Sequence, residues 1–170
     1  MNIELNNGYI ATVDDEDYAK ISQYTWWAHV AKRKDGTILN VYAYRSVRVN
    51  GVLKNQSMHR FLMHEPENKQ VDHIDHNGLN NSQSNLRICT CQQNQMNQKK
   101  RFNVSSIYKG VVWHKKNQKW QASIRINGKR TYLGIFDSEI EAAKAYNNAA
   151  IKHYKEFASL NTIENYEVGA

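Results

Sequence analysis

The chain has 170 residues, enough for one ordinary domain or two small ones. Its 23 Lys and Arg against 16 Asp and Glu give a formal net charge of +7, which favours an anionic partner such as nucleic acid. A basic but otherwise ordinary soluble surface would have the same charge. Four Trp, ten Tyr and four Phe exclude a disordered basic tail.

Cysteine usage and hydropathy exclude several further classes. Cys89 and Cys91 have no second Cys/His cluster with which to form a structural zinc site, so we interpret both as ordinary thiols on a strand. The sequence shows no disulfide framework, no signal peptide and no apolar run long enough to cross a membrane. It therefore predicts a protein of a reducing cytoplasm, which is neither secreted nor membrane-bound.

Residues 1 to about 57 are predicted to be mostly strand. The turn signals are RKDG at 33–36 and NG at 50–51. Two short helices are predicted at 15–24 (DEDYAKISQY) and 57–64 (SMHRFLMH), the second capped by Ser57 with Phe61 and Leu62 toward the core. The predicted strands are Ile3–Leu5, Tyr9–Val13, Thr25–Lys32 and Asn40–Val47.

The segment 71–90 is predicted to be a strand, a long polar loop and a second strand, and 92–100 a helix that leads into a basic linker. Beyond the linker, YKGVVWHKK, KWQASIRI and KRTYLGIF have the composition and periodicity of three strands. Residues 138–154 have the pattern of an amphipathic helix that opens with a capping box, Ser138 to Glu141. The predicted domains are 1–98, with its motif at 57–98, and 108–161, separated by a linker at 99–107 and followed by a tail at 162–170.

The turn at Asn127-Gly128 sets the register of the last two strands. A two-residue turn places Arg125 opposite Arg130 and Ser123 opposite Tyr132 on one face of the sheet. The other face can pack on the Ala-rich helix. Two arginines directly across from each other are unfavourable unless an anion lies between them, which suggests nucleic acid, although a solvated sheet face remains the alternative.

These C-terminal residues resemble the Apetala-type, or ethylene-response-factor, DNA-binding domain, through YKGV, KW, the IR of the second strand, YLGIF and EAAKAY. The resemblance implies a three-stranded sheet that enters the major groove with a helix behind it. Because Val112 and Ser123 depart from the family's usual residues, the plant target sequence does not carry over. The positions that bind DNA in the family correspond here to Lys109, Val112, His114, Ser123, Arg125, Arg130 and Tyr132.

The polar segment 71–97 holds the residues suited to catalysis. Asp and Asn oxygens suit a hard cation such as Mg²⁺ or Mn²⁺, and a His beside such an ion can take a proton from water. By composition alone, a surface loop rich in Asx turns fits equally well. The spacing of VDHIDHN, LNNSQSNLR and QNQMN, preceded by HRFLM, resembles the HNH nucleases, in particular the phage and intron-encoded homing endonucleases.

The resemblance to HNH nucleases assigns a role to each motif residue. It implies that His73 is the general base, that Asp72 and Asn94 hold one Mg²⁺ or Mn²⁺ ion, and that Asn85 orients the His73 ring and braces the loop. Asp75 and Asn97 are the alternative ligands. His59 and Arg60 are interpreted as contacts to the scissile strand. Since neighbouring strand residues face opposite ways, Asp72 and His73 can serve one site if the strand ends or bends there.

The sequence therefore predicts an α+β protein, with a β-rich N-terminal platform, a ββα-metal nuclease motif and a three-stranded antiparallel sheet on one helix. The predicted activity is hydrolysis of phosphodiester bonds in double-stranded DNA by a site-specific homing endonuclease. A monomer or weak dimer would nick one strand, with no protein partner evident. The alternatives are a DNA-binding regulator with an inactive nuclease scaffold and, less in keeping with the sequence, an RNA-binding module.

Overall fold

A computed structural model describes residues 1–64, 66–100 and 105–163, so parts of the predicted linker, Arg101 included, and of the predicted tail lie outside the described residues. The chain divides into two compact units, Met1–Asn94 (the N-terminal unit) and Gln95–Ala170 (the C-terminal unit). Within the described residues, small antiparallel sheets and short helices alternate, which confirms the mixed α and β character. No helix of the described segments is long and apolar enough to cross a membrane.

The N-terminal unit contains the first seven strands, the first two helices and the start of the third helix. Its helices are α1 (Asp15–Ser22), α2 (Met58–Met63) and α3 (Cys91–Asn97), and the unit boundary falls inside α3. Its strands form three sheets. In the first, β1 (Asn2–Glu4) pairs with β2 (Ile10–Thr12), and in the third, β6 (Gln70–His73) pairs with β7 (Leu86–Cys89). The second has three strands in the order β3 (Trp27–Lys32), β4 (Ile38–Val49) and β5 (Val52–Ser57).

The turn predicted at Asn50-Gly51 joins β4 to β5. Both residues have a positive φ, 51° and 79°, which is the conformation of the type I′ turn that Asn-Gly prefers. Strand β5 itself lies beyond the predicted strands, because its mostly exposed residues lack a clear apolar alternation. The two cysteines are also placed differently from the prediction, since Cys89 ends β7 and is buried whereas Cys91 begins α3 and is exposed.

The predicted helix at 57–64 is confirmed as α2, but its N-terminus differs. Ser57 makes no side-chain cap hydrogen bond, and its Oγ instead lies 3.0 Å from Nε2 of His59. Leu62 is buried and Phe61 packs against the same core, as predicted. The helix therefore presents its apolar residues to the core and brings His59 to the interior of the unit.

The core of the N-terminal unit surrounds Ile21, Trp26 and Met58, each at most 1% exposed. Trp26 fills this space without leaving its indole unpaired, because Nε1 donates to the Ile21 carbonyl at 2.9 Å. Val71 of β6 and Leu86 of β7 belong to the same core. Their burial fixes the β6–β7 hairpin, and with it the end of β6, against the rest of the unit.

The polar loop between β6 and β7 is tied to two neighbouring strands. Thr12 of β2 donates to the Leu79 carbonyl, and Asn81 donates to the Thr12 carbonyl, each at 2.8 Å. The backbone of Gly78 donates to Oδ1 of Asn40 on β4 at 3.3 Å. The loop is therefore held by backbone pairing as well as by its own side chains.

The C-terminal unit consists of β8 (Val111–His114), β9 (Lys119–Ile126), β10 (Lys129–Phe136) and α4 (Glu139–Tyr154), with the strand order β10-β9-β8. The predicted register is confirmed, with Arg125 opposite Arg130. The Asn-Gly turn has the positive φ values of a type I′ turn, 49° and 78°.

Helix α4 packs on the sheet through small residues, as its Ala-rich sequence predicts. Ser138 caps it, since its side chain accepts from the backbone N–H of Ile140 at 3.2 Å. Ala142 and Tyr146 are buried as expected, and Ala143 and Ala150 are buried beside them. Val111, Ala122 and Ile124 of the sheet are also buried, so the opposite face of the sheet remains available for contacts outside the unit.

Gly78→Ala is expected to destabilise the N-terminal unit by about 1–3 kcal/mol, the usual effect of overpacking. A Cβ at this position would collide with the Tyr42 ring and the Val41 carbonyl, and the carbonyl is backbone that cannot turn away. Chemical denaturation of the full chain measures the change. An unfolding free energy equal to that of the wild type would show that the loop does not pack on β4 as described.

Candidate active site and nucleic-acid interface

Asp72 and His73 are the last two residues of β6, and both are buried. In the β6–β7 pairing Asp72 lies opposite Arg87 and His73 opposite Leu86. Because β6 ends at His73, the chain leaves the strand directly after the pair. From the sequence, Asp72 and His73 can share one site only if the strand ends or bends beside them. Strand β6 does end at His73.

The His73 imidazole is enclosed by one amide and two rings. Its Nε2 lies 3.4 Å from Oδ1 of Asn81, which is fully buried. The ring centroids of Tyr42 and His59 lie 5.8 Å and 4.9 Å from that of His73. Burial lowers the pKa of His73, which the bond to Asn81 and the nearby carboxylates of Asp75 and Asp72 partly oppose. A histidine with a lowered pKa is unprotonated near neutral pH, as a general base must be.

The loop after His73 is closed by a hydrogen-bonded pair, Asp75 and Asn85. Asn85 donates from Nδ2 to Oδ1 of Asp75 at 2.9 Å and accepts at Oδ1 from the Asp75 backbone at 3.0 Å. Its carbonyl accepts from the backbone of Ile74 at 2.9 Å. The other oxygen of Asp75 accepts from the amide of Asn80 at 2.8 Å. Asn85 therefore braces the loop, while Asn81 is the amide that contacts the His73 ring.

The proposed metal ligands lie on and beside β6. Asp72 accepts at Oδ2 from Nε and Nη2 of Arg87, at 3.0 Å and 2.7 Å. Asn94, on α3, donates from Nδ2 to the side chain of Gln70 at 2.8 Å. Gln70 and Asp72 are two residues apart on one strand and so share a face. Asn94 is thus held on the Asp72 side of β6.

This donor set fits a hard divalent cation by its chemistry. Carboxylate and amide oxygens are the ligands that Mg²⁺ and Mn²⁺ prefer. Among the described residues, His, Cys, Asp and Glu do not form a group of three that could hold a metal ion. Asp72 and Asn94 would together offer such an ion one carboxylate and one amide oxygen. Of the alternative ligands, Asp75 has both oxygens engaged inside the loop.

His59 and Arg60 are neighbours on α2 with different surroundings. Arg60 is exposed, whereas His59 is 9% exposed and its ring packs against His73. Burial lowers the pKa of His59 to about 3, so its ring is neutral. Its Nδ1 is buried without a hydrogen-bond partner.

The outer face of the C-terminal sheet carries the residues expected to contact DNA. Arg125, Arg130 and Tyr132 are exposed. Arg130 donates from Nε to Oγ of Ser123 at 3.0 Å, which orients its guanidinium along the face. His114 is half-buried at the end of β8, where its Nδ1 accepts from the backbone of Asn117 at 3.3 Å.

Lys109 is half-buried, and its ammonium group is directed at the end of α3. Nζ donates to the carbonyls of Met96 and Gln98, at 2.7 Å and 2.6 Å, at the C-terminal end of α3. Burial lowers the pKa of Lys109 to about 8. A cation at a helix C-terminus also satisfies carbonyls that have no partner within the helix, so this lysine has a structural use that the sequence did not reveal.

Comparison with known protein families identifies both regions. Residues 61–96 match the HNH endonuclease family, and residues 106–156 match the AP2 domain family. The chain carries an HNH endonuclease motif and an AP2 domain. The HNH match ends in α3 and includes Asp72, His73, Asn85 and Asn94, and the AP2 match covers all three strands of the C-terminal sheet and α4 through Tyr154.

Individual relatives include both an HNH endonuclease and AP2-like transcription factors. The chain is 38% identical to the uncharacterized HNH endonuclease L560 of Acanthamoeba polyphaga mimivirus over 118 residues, 66% of this chain and 60% of that protein. It is 47% identical over 66 residues to the AP2-like ethylene-responsive transcription factor PLT2 of Arabidopsis thaliana. The rice factor CRL5 of the same class is 44% identical over 66 residues. These 66 residues are 38% of this chain but 11% and 10% of the two plant proteins. No solved structure gives a significant match.

Three residues in or near the HNH region were not assigned a role from the sequence. Asn81 is one of several asparagines in LNNSQSN, and residue type alone does not distinguish it from its neighbours. Arg87 ends the NLR segment of the motif, so its position in the motif could have drawn attention to it. Its pairing with Asp72 depends on the β6–β7 register, which the sequence does not reveal. Tyr42 is distant in sequence, and the fold brings its ring to His59 and His73.

Arg87→Ala is expected to destabilise the protein by about 3 kcal/mol, the usual loss when one partner of a buried ion pair is removed. Asp72 would then remain buried, at 7% exposure, without the guanidinium that neutralises it. Arg48→Ala, at an exposed arginine of β4, is the control and should change stability by no more than about 0.5 kcal/mol. Urea unfolding compares the two variants, and equal losses would contradict a stabilising role for the pair.

Proposed function

We propose that this protein is a metal-dependent DNA endonuclease that hydrolyses phosphodiester bonds, with its HNH motif as the catalytic centre and its AP2 domain as the DNA-binding module. The observation that carries the proposal is the buried His73, enclosed at the end of β6 directly after Asp72. It lies within the segment that matches the HNH endonuclease family.

In the proposed mechanism His73 accepts the proton of the attacking water. Burial keeps the imidazole neutral, and contacts with Asn81, Tyr42 and His59 hold it in place before substrate arrives. Asn85 contributes by closing the loop through Asp75. Asp72 and Asn94 would hold one Mg²⁺ or Mn²⁺ ion, which when bound would stabilise the charge that develops on the phosphate.

The HNH region is proposed to be a ββα-metal motif, in which β6 and β7 supply the two strands and α3 the helix. This arrangement is supported by the order of these elements and by the bond from Asn94 of α3 to Gln70 of β6. We propose the same domain limits as the sequence suggests, 1–98 and 108–161 with a linker at 99–107.

Double-stranded DNA is the proposed substrate. Arg60, exposed on α2, is suited to a phosphate of the scissile strand. The outer face of the AP2 sheet offers His114, Arg125, Arg130 and Tyr132 for contacts in the major groove. Since one such active site cuts one strand, we propose a homing-type endonuclease that nicks as a monomer and leaves a 3′-hydroxyl and a 5′-phosphate.

Nicking of supercoiled plasmid tests the proposed activity. Wild-type protein should convert supercoiled to open circular DNA with Mg²⁺ or Mn²⁺ and should be inactive with EDTA. His73→Ala should lower the rate by about 10²- to 10⁴-fold, the contribution of a general base, with DNA affinity unchanged. His153→Ala, at an exposed histidine of α4, is the matched control and should retain activity.

The same assay separates the nuclease from its alternatives. If wild-type protein binds duplex DNA and relaxes no plasmid with either metal, the proposal fails and a DNA-binding regulator on an inactive HNH scaffold takes its place. Preference for structured RNA over duplex DNA would indicate an RNA-binding module instead.

Arg125→Ala and Arg130→Ala are expected to weaken DNA binding, because both side chains lie on the outer face of the AP2 sheet. Loss of a phosphate contact would weaken binding to all sequences and reduce the salt slope by about 1, whereas loss of a base contact would cost about 1–3 kcal/mol at one position. Fluorescence anisotropy over a salt series measures both effects.

Lys129→Ala is the matched control for this experiment. Lys129 is an exposed cation of the same strand that lies opposite Ile126, on the other face of the sheet from Arg130. The Lys129→Ala protein should bind DNA almost as well as the wild type. Equal affinities for all three variants would remove the outer sheet face as the DNA-binding surface.

A further inference from the structure

Asn81 and His59 contact the His73 ring, lie outside the expected catalytic set, and are each held by a second contact. Asn81 reaches Nε2 of His73 at 3.4 Å, and the His59 ring stands at 84° to the His73 ring with centroids 4.9 Å apart. Asn85, the residue expected to orient this ring, has its side-chain bonds to Asp75 and to the Asn80 carbonyl.

The orientation of the Asn81 amide is determined by its other bonds. Its Nδ2 donates to the Leu79 carbonyl at 3.1 Å, and a carbonyl can accept a hydrogen bond but not donate one. The amide nitrogen therefore points to Leu79 and the amide oxygen to His73. The Asn81 backbone N–H donates to the Thr12 carbonyl at 2.8 Å, which fixes the residue to β2.

This orientation selects a tautomer of His73. Because the Asn81 oxygen can only accept, the proton must be on Nε2 of the neutral imidazole. Nδ1 of His73 then carries the lone pair, and it is the atom that would take a proton from water.

His59 is placed to hold the plane of the His73 ring. Its own ring is anchored through Nε2, 3.0 Å from Oγ of Ser57, at the junction of β5 and α2. Burial lowers the pKa of His59 to about 3, so a neutral ring faces His73 in both protonation states of His73. Because Nδ1 of His59 is buried without a hydrogen-bond partner, the contact between His59 and His73 is one of ring packing.

We propose that Asn81 and His59 are positioning residues for His73: Asn81 determines which ring nitrogen carries the proton, and His59 holds the plane of the ring. The proposal rests on the proposed function for the consequence in catalysis, whereas the tautomer and the ring contact can be measured without activity.

Long-range ¹H–¹⁵N NMR of the imidazole nitrogens, on the full chain without metal, reads the tautomer of His73 directly. The wild type should show the Nε2–H form, and Asn81→Ala should show a mixture of the two tautomers. Asn80→Ala is the matched control, because the Asn80 side chain donates to Asp75 in the same loop. A predominant Nδ1–H form in the wild type, or an unchanged tautomer in Asn81→Ala, would overturn the role of Asn81.

Nicking kinetics test both residues. Asn81→Ala and His59→Ala should each lower kcat by about 10- to 100-fold, as residues that orient a catalytic group do, with KM unchanged. His59→Phe keeps a ring against His73 and should restore kcat to within a few-fold of the wild type. Leu62→Ala, a buried change in the same helix, controls for lost stability and should leave kcat of the folded protein unchanged.

The outcomes are distinguishable. If His59→Phe is as impaired as His59→Ala, the ring contact is not what matters and that half of the proposal is wrong. A change in KM alone would indicate a DNA contact instead of positioning. If Asn81→Ala does not fold, the wild-type tautomer and the His59 variants still decide the proposal. Wild-type protein that shows the Nε2–H form but no nicking would overturn the proposed function and leave the tautomer assignment intact.

Discussion

The reciprocal hydrogen bonds between Asp75 and Asn85 are the constraint on which the HNH site depends. They join the two ends of the polar loop, and the Asn85 carbonyl accepts from the backbone of Ile74, the residue after His73. With its ends closed, the loop can pair with Thr12 of β2 and bring Asn81 to the His73 ring. These hydrogen bonds together place the Asn81 amide beside the buried imidazole of His73.

Burial and pairing then divide the chemistry between the two faces of β6. On one face Asp72 pairs with Arg87, which offsets the cost of burying a carboxylate. On the other face the His73 ring packs against the rings of Tyr42 and His59, and burial lowers its pKa. Strand alternation places the proposed ligand Asp72 and the proposed base His73 on different faces of β6, and because β6 ends at His73 both can still serve one site.

The features that could be predicted from the sequence depend on local rules. The Asn127-Gly128 turn fixed the Arg125–Arg130 pairing because type I′ turns leave no freedom of register. Asp72-His73, with Asn85 and Asn94 at fixed spacing, indicated the HNH motif. What could not be predicted depends on long-range contacts. Asn81 and Asn85 are the same residue type in one loop, and Lys109, expected at DNA, is bonded to the end of α3.

A crystal structure with Mn²⁺ and duplex DNA, with anomalous scattering recorded at the manganese edge, tests the central claim most directly. The account predicts an anomalous peak within ligand distance of oxygens of Asp72 and Asn94, with Nδ1 of His73 turned toward the scissile phosphate. A manganese ion bound by Asp75 in place of Asp72, or a His73 that points away from the phosphate while the ion is bound, would contradict it.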